Sequence, residues 1–237
     1  DFIAVSGMET TMFILVLLLT AYFYRTKNAI PFAVMLGLIM WTRPDGVTFI
    51  IAIIIDYVMM SIYSRKDEKL IVFTGAELKK IALIFSGLLG LYFLMNFILS
   101  GSILPNTYNA KTTYYTPEYR DRYSFLNYEV WNYFKAGSYY VLMIGFLFSS
   151  LMILFDLYKR KYNQNTLYVI FIIGLVAIYF IKMPFAARFG RYMMPMIPFF
   201  ILVSVIGFRD IARLFKRFAE SVLFSKIVFY IFVGLVY

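Results

Sequence analysis

Apolar runs alternate with short polar breaks along almost the whole chain. The first run is Met8–Tyr24, closed by Arg25 and Lys27. Ile30–Thr42 follows; it is apolar but too short to cross a bilayer at full thickness, and Pro31 suits the first turn of its helix. Next comes Arg43-Pro44-Asp45-Gly46, a turn by composition: proline presets φ, aspartate bonds locally and glycine accepts positive φ. Val47–Tyr63, Ile81–Leu99, Ser138–Tyr158, Thr166–Ile181, Tyr192–Phe208 and Val222–Tyr237 repeat the apolar theme. Several of these runs approach the roughly 20 residues a membrane helix needs. The pattern predicts an all-α fold, a polytopic transmembrane helical bundle made by residues 1–237 as a single domain. Pro195 and Pro198 predict kinks inside the Tyr192–Phe208 span. Arg209–Phe218 reads as a separate basic amphipathic piece lying at the interface.

The longest polar interval is Ser100–Gly137, an extended non-cytoplasmic loop on this reading. A loop of that length is uncommon unless it is functional or disordered, and recurrent aromatic residues argue against disorder. Within it, Leu126, Val130, Tyr133 and Phe134 recur at helical spacing. They predict a short interfacial helix on the outer leaflet, anchored by Trp131. The loop tyrosines fit an aromatic belt, with stacking on sugar rings as the sharper alternative.

Charge changes the picture in one respect. The 237 residues are 62% hydrophobic and 15% charged, with a net charge of +10. A charge of that size alone suits nucleic acid, but most of the 23 Lys and Arg residues sit in clusters at Arg25–Lys27, Arg65–Lys80, Lys159–Lys161 and Arg209–Lys226. Placed on the cytoplasmic side, these clusters let every span alternate without conflict. The expected partner is a lipid bilayer rather than nucleic acid. Cys and His are absent, which excludes disulfides, thiolate chemistry, imidazole acid–base work and Cys/His zinc sites. The chain starts at Asp1 without an initiator Met and stops inside an apolar run, and is expected to be a fragment of a longer protein.

The alternation sends Ser6–Glu9, Arg43–Gly46, Ser100–Gly137 and Lys182–Arg191 to the non-cytoplasmic face. Arg43, Lys111, Arg188 and Arg191 are its cations, and Glu9, Asp45, Glu118, Asp121 and Glu129 its carboxylates. Guanidinium forks match phosphate oxygens, and a lysine adds a point charge. Such a set could hold a lipid-linked phosphate while a carboxylate handles a proton or a metal ion. The plainer alternative is that Arg43 and Asp45 close a turn and that Arg188 and Arg191 meet lipid headgroups. Asp56 lies inside an apolar run with no cation evident at its depth; a hydrogen bond to a neighbouring helix is the expected explanation.

Four segments carry a resemblance: Ser6-Gly7-Met8-Glu9-Thr10, Thr42-Arg43-Pro44-Asp45-Gly46, Leu104-Pro105-Asn106-Thr107-Tyr108 with Lys111, and Gly190-Arg191-Tyr192 with Pro195 and Pro198. In order and spacing they resemble the GT-C superfamily of integral-membrane glycosyltransferases, and within it the arabinofuranosyltransferase-like group. The resemblance implies a polyprenyl-phosphate sugar donor, a glycan or other cell-envelope acceptor, and transfer on the non-cytoplasmic side of the cell membrane. It assigns the donor phosphate to Arg191, Arg43, Lys111 and Arg188, and the sugar pocket to Asn106 and Tyr108. Glu9 and Asp45 are the candidate catalytic carboxylates within this chain. Family members carry their main catalytic Asp in a loop ahead of the first motif, where this chain has only Asp1–Val5, so that carboxylate is expected upstream of Asp1. No cofactor is fixed, and a divalent cation on oxygen ligands stays open. The competing readings are a lipid-linked-sugar flippase or other secondary transporter, and a membrane subunit without enzymatic activity.

Overall fold

The structure, a computed structural model, describes residues 8–64, 73–103, 121–135, 139–182 and 192–219, together with positions 230, 233 and 234. Among the described residues there are helices and no strand, as the alternating pattern requires. The helices are α1 (Met8–Arg25), α2 (Ala29–Thr42), α3 (Val47–Ser64), α4 (Gly75–Ser100), α5 (residues 122–135), α6 (Tyr139–Tyr158), α7 (Thr166–Lys182) and α8 (Ile197–Ala219). Four are long and apolar enough to cross a membrane: α3 with its preceding turn, α4, α6 and α8 with its preceding turn. The chain is thus a membrane protein with transmembrane helices. α2 and α7 are shorter apolar helices of 14 and 17 residues.

Helix ends are set by local chemistry. Thr74 and Glu77 form a reciprocal capping box at the start of α4. α1 and α6 each end in a residue with positive φ, Lys27 and Arg160, both at φ 57°. In each case the next residue's N–H reaches back five positions, from Asn28 to Phe23 and from Lys161 to Asp156. This is the Schellman closure, made here by basic residues in place of the usual glycine.

Two packing layers share one apolar core. α2 lies between α1 and α4, and α3 runs along α7. α6 and α8 pair along their length, and α7 touches α8. The core runs through Phe13, Leu17 and Tyr24 of α1, Phe49 and Ile53 of α3, Phe171 and Leu175 of α7, and Phe199 and Phe200 of α8. At the α6–α8 crossing the backbones touch: a Cβ on Gly207 would overlap the Gly145 carbonyl, and one on Gly145 would overlap the Ser204 carbonyl. Small residues allow this approach between membrane helices, where apolar burial alone gives little drive for association.

Three expectations change. Arg209 does not start a new element; α8 continues unbroken from Ile197 to Ala219, so the basic residues ride on its last turns. Pro195 and Pro198 produce no mid-helix kink. Pro195 sits in a 3-10 turn, Met194–Met196, and Pro198 is the second residue of α8, where its missing N–H has no helical partner to lose. The helix foreseen inside the long loop exists as α5, but its central part, Phe125–Trp131, is π-helical. The wider turn shifts the inward set to Phe125, Glu129 and Phe134, leaving Leu126 exposed; Val130 still packs on the core and Trp131 is 53% exposed. Val222–Tyr237, foreseen as a last span, lies outside the described residues except for 230, 233 and 234.

Candidate functional site

The break between α2 and α3 builds the first polar cluster. Arg43 ends α2 in an extended conformation, φ −155° and ψ 133°, which turns its side chain out of the helical path. Pro44 opens a 3-10 turn that α3 continues, and the Thr48 hydroxyl donates to the Asp45 carbonyl at 2.8 Å. Gly46 is required by space: a Cβ there would overlap Ile39 and press on the Phe13 ring. The turn thereby brings Asp45 under the guanidinium. Arg43 Nε donates to Asp45 Oδ1 at 3.0 Å, and Nη2 donates to Asp45 Oδ2 at 2.8 Å.

Other helices complete the cluster. Arg43 Nη2 also donates to the Tyr179 hydroxyl of α7 at 3.1 Å, and that hydroxyl donates in turn to Asp45 Oδ2. Glu9 of α1 places Oε1 4.0 Å from Arg43 Nε, with its side chain 55% exposed. The guanidinium lies 5.4 Å from the Phe13 ring centre and 5.5 Å from that of Tyr192. Tyr192 leans on Tyr179 at 4.8 Å. Arg43 is only 4% exposed, and its Nη1 has no hydrogen-bond partner among the described residues.

A second cluster stands where the C-terminal end of α1 and the segment just ahead of α7 meet the middle of α3. Asp56 is fully buried. Its Oδ2 accepts from the hydroxyls of Tyr24 at 2.9 Å and Tyr162 at 2.8 Å, and from Arg25 Nη1 at 3.3 Å. The expected interhelix hydrogen bond is present, but the expected isolation from cations is not. Arg25, the last residue of α1, directly follows the apolar run and reaches Asp56 of α3, a juxtaposition 31 residues apart in sequence. Arg25 Nη1 also donates to Tyr162 at 2.7 Å, and Nη2 to the Gln164 carbonyl. Burial keeps the Tyr162 hydroxyl protonated well above the usual range, so it remains a donor to Asp56. Lys27 lies 4.4 Å from the Tyr24 ring centre and 4.9 Å from that of Phe73. Burial, and then the neighbouring Arg25 charge, push its ammonium down to about 8.

Of the residues singled out from sequence, Glu9, Arg43 and Asp45 meet in one place. Asn106, Tyr108, Lys111, Arg188 and Arg191 lie outside the described residues. Tyr179 and Phe13 were missed, and Tyr192 was noted only as part of a motif, because an aromatic in an apolar run looks like any other until its partner is known; for Tyr179 that partner, Asp45, lies 134 residues away. No group of three or more Asp or Glu residues that could hold a metal ion occurs among the described residues. Set against known proteins, the chain matches no family model, no curated protein and no solved structure.

Proposed function

We propose that this chain belongs to a membrane glycosyltransferase of GT-C type that moves a sugar from a polyprenyl-phosphate donor to a cell-envelope acceptor. The observation that carries this reading is the meeting of Glu9, Arg43 and Asp45, from two of the four sequence breaks, with Tyr192, the residue that follows a third, around one buried guanidinium with an unpartnered Nη1. A buried Arg edge without a partner is costly, and an anionic oxygen would satisfy it with a charge-assisted bond.

In the proposed step, the acceptor hydroxyl oxygen forms a bond to the anomeric carbon. The bond from that carbon to the phosphate oxygen breaks, and its electron pair leaves on the polyprenyl phosphate. A carboxylate takes the hydroxyl proton. Of the two carboxylates here, Asp45 is engaged by Arg43 and Tyr179, whereas Glu9 is the more exposed. Asp45 and Glu9 also offset the charge of Arg43, so the anion would rely on further cations; Lys111, Arg188 and Arg191 fill that role in this proposal. Together they would stabilise negative charge growing on the leaving phosphate.

The test is the full-length protein in detergent with a polyprenyl-phosphate sugar and an oligosaccharide acceptor. Product should form, and Arg191→Ala should abolish it while expression and melting temperature hold. Wild-type turnover in that variant would remove Arg191 from the site. A lipid-linked-sugar flippase is the second reading. It is favoured by the buried Arg25–Asp56 pair farther along the same helices, since transporters place charges along such paths. Sugar-lipid translocation in liposomes without product would select it.

A further inference from the structure

Arg43 presents five N–H donors in a rigid plane. The Nε–Nη2 edge is taken up by Asp45 and Tyr179, while Nη1 is left without a partner among the described residues. Two constraints hold that plane. The Phe13 and Tyr192 rings lie against the guanidinium and limit its tilt. Within its plane, Asp45 cannot fix it alone, because Asp45 is two residues away on the same turn and moves with it. The Tyr179 hydroxyl ties the pair to a different helix, α7. It accepts from Arg43 and donates to Asp45, so one hydroxyl closes a triangle across the fold. Tyr179 is itself 2% exposed, with its ring packed on Tyr192.

We propose that Tyr179 is a positioning residue: its hydroxyl fixes the Arg43–Asp45 fork so that Nη1 faces the bound phosphate oxygen. The inference rests on the reading of the Arg43 cluster as a phosphate-handling site and adds a residue to it. Tyr179 does not touch the substrate in this account. Loss of its hydroxyl lets the fork swing as a unit, which misaligns Nη1 at the moment when charge develops on the leaving group. A misplacement of that kind falls on turnover more than on ground-state binding.

Three variants of the full-length protein test it: Tyr179→Phe, Asp45→Asn and the double variant. Tyr179→Phe keeps the ring packing, and its melting temperature should stay near wild type. Its kcat should fall by about tenfold or more, with the KM for the polyprenyl-phosphate sugar changed by less than about threefold. The double variant should be little worse than Asp45→Asn, because the two groups act through one carboxylate oxygen. A lower melting temperature with unchanged kcat would make Tyr179 a packing residue and overturn the proposal, as would fully additive losses. If the wild type transfers no sugar, the proposed function fails on its own, and binding of farnesyl phosphate reads Tyr179 directly: this monoester carries the leaving group's full charge, which the ground-state phosphodiester donor lacks, so it responds to the alignment of Nη1 where KM does not. Retained binding in the wild type, weakened about tenfold in Tyr179→Phe, supports the positioning role; equal binding, or none to the wild type, overturns it.

Discussion

Truncating Arg25 to alanine would leave the Asp56 carboxylate fully buried with two tyrosine hydroxyls and only the weaker field of Lys27 as counter-charge. Breaking a buried pair from one side costs about 3–5 kcal/mol, whereas replacing both members with apolar groups of similar volume costs far less. Arg25→Ala should therefore lower the melting temperature in detergent sharply, and Arg25→Met with Asp56→Leu should recover most of the loss. Equal stability of Arg25→Ala and wild type would mean that Arg25 faces solvent rather than Asp56. Arg25 is 19% exposed on its side chain and could pass for a topology signal, which is how its sequence position alone reads. Asp56 was legible as an anomaly, because a lone carboxylate in an apolar run stands out. Its partner was not, since pairing depends on how far α1 and α3 slide past each other, and no spacing within either run encodes that. Arg43 and Asp45 were legible together because their contact is local, two residues apart.

At the scale of single helices, apolar runs located the spans well, and the errors cluster at ends and registers. Two prolines near the start of a helix look the same on paper as two prolines inside one; only the position of the first hydrogen-bonded turn tells them apart. A π-helical stretch likewise defeats a search at 3.6-residue spacing, which is why Phe125 and Glu129 replaced Leu126 on the inner face of α5. The α6–α8 contact offers the cleanest test of packing at this scale. Gly207→Ala sets a methyl group on the Gly145 carbonyl and must push two backbones apart, a change expected to cost about 1–3 kcal/mol. Gly174→Ala in α7 is the matched control, since a Cβ there meets nothing within 4 Å and alanine favours a helix. Thermal unfolding of the two variants in detergent should separate them clearly. Similar melting temperatures would show that α6 and α8 are not in backbone contact.

Across the whole molecule the same arrangement occurs twice. At the start of α3, Arg43 donates to Tyr179, which donates to Asp45; midway along α3, Arg25 donates to Tyr162, which donates to Asp56. Each triangle joins segments that the sequence separates widely, so this helical set is pinned at two levels by charge-assisted bonds. The placement of the basic clusters predicts which end faces inward, because flanking Lys and Arg set the orientation of membrane segments. By that rule the Arg25 end, with Thr74 and Lys159 near it in the alternation, is cytoplasmic, and the Arg43 end, with Ser102, is not. The chain contains no cysteine, so single-cysteine variants report without background. Thr74, Ser102 and Lys159 are all exposed. In intact cells a membrane-impermeant maleimide should label Ser102→Cys and spare Thr74→Cys and Lys159→Cys, which should react only after the membrane is opened. The opposite pattern would turn the Arg43 cluster toward the cytoplasm and remove the basis for transfer on the outer face. Labelling of all three in intact cells would instead separate the helices from a membrane-spanning arrangement altogether.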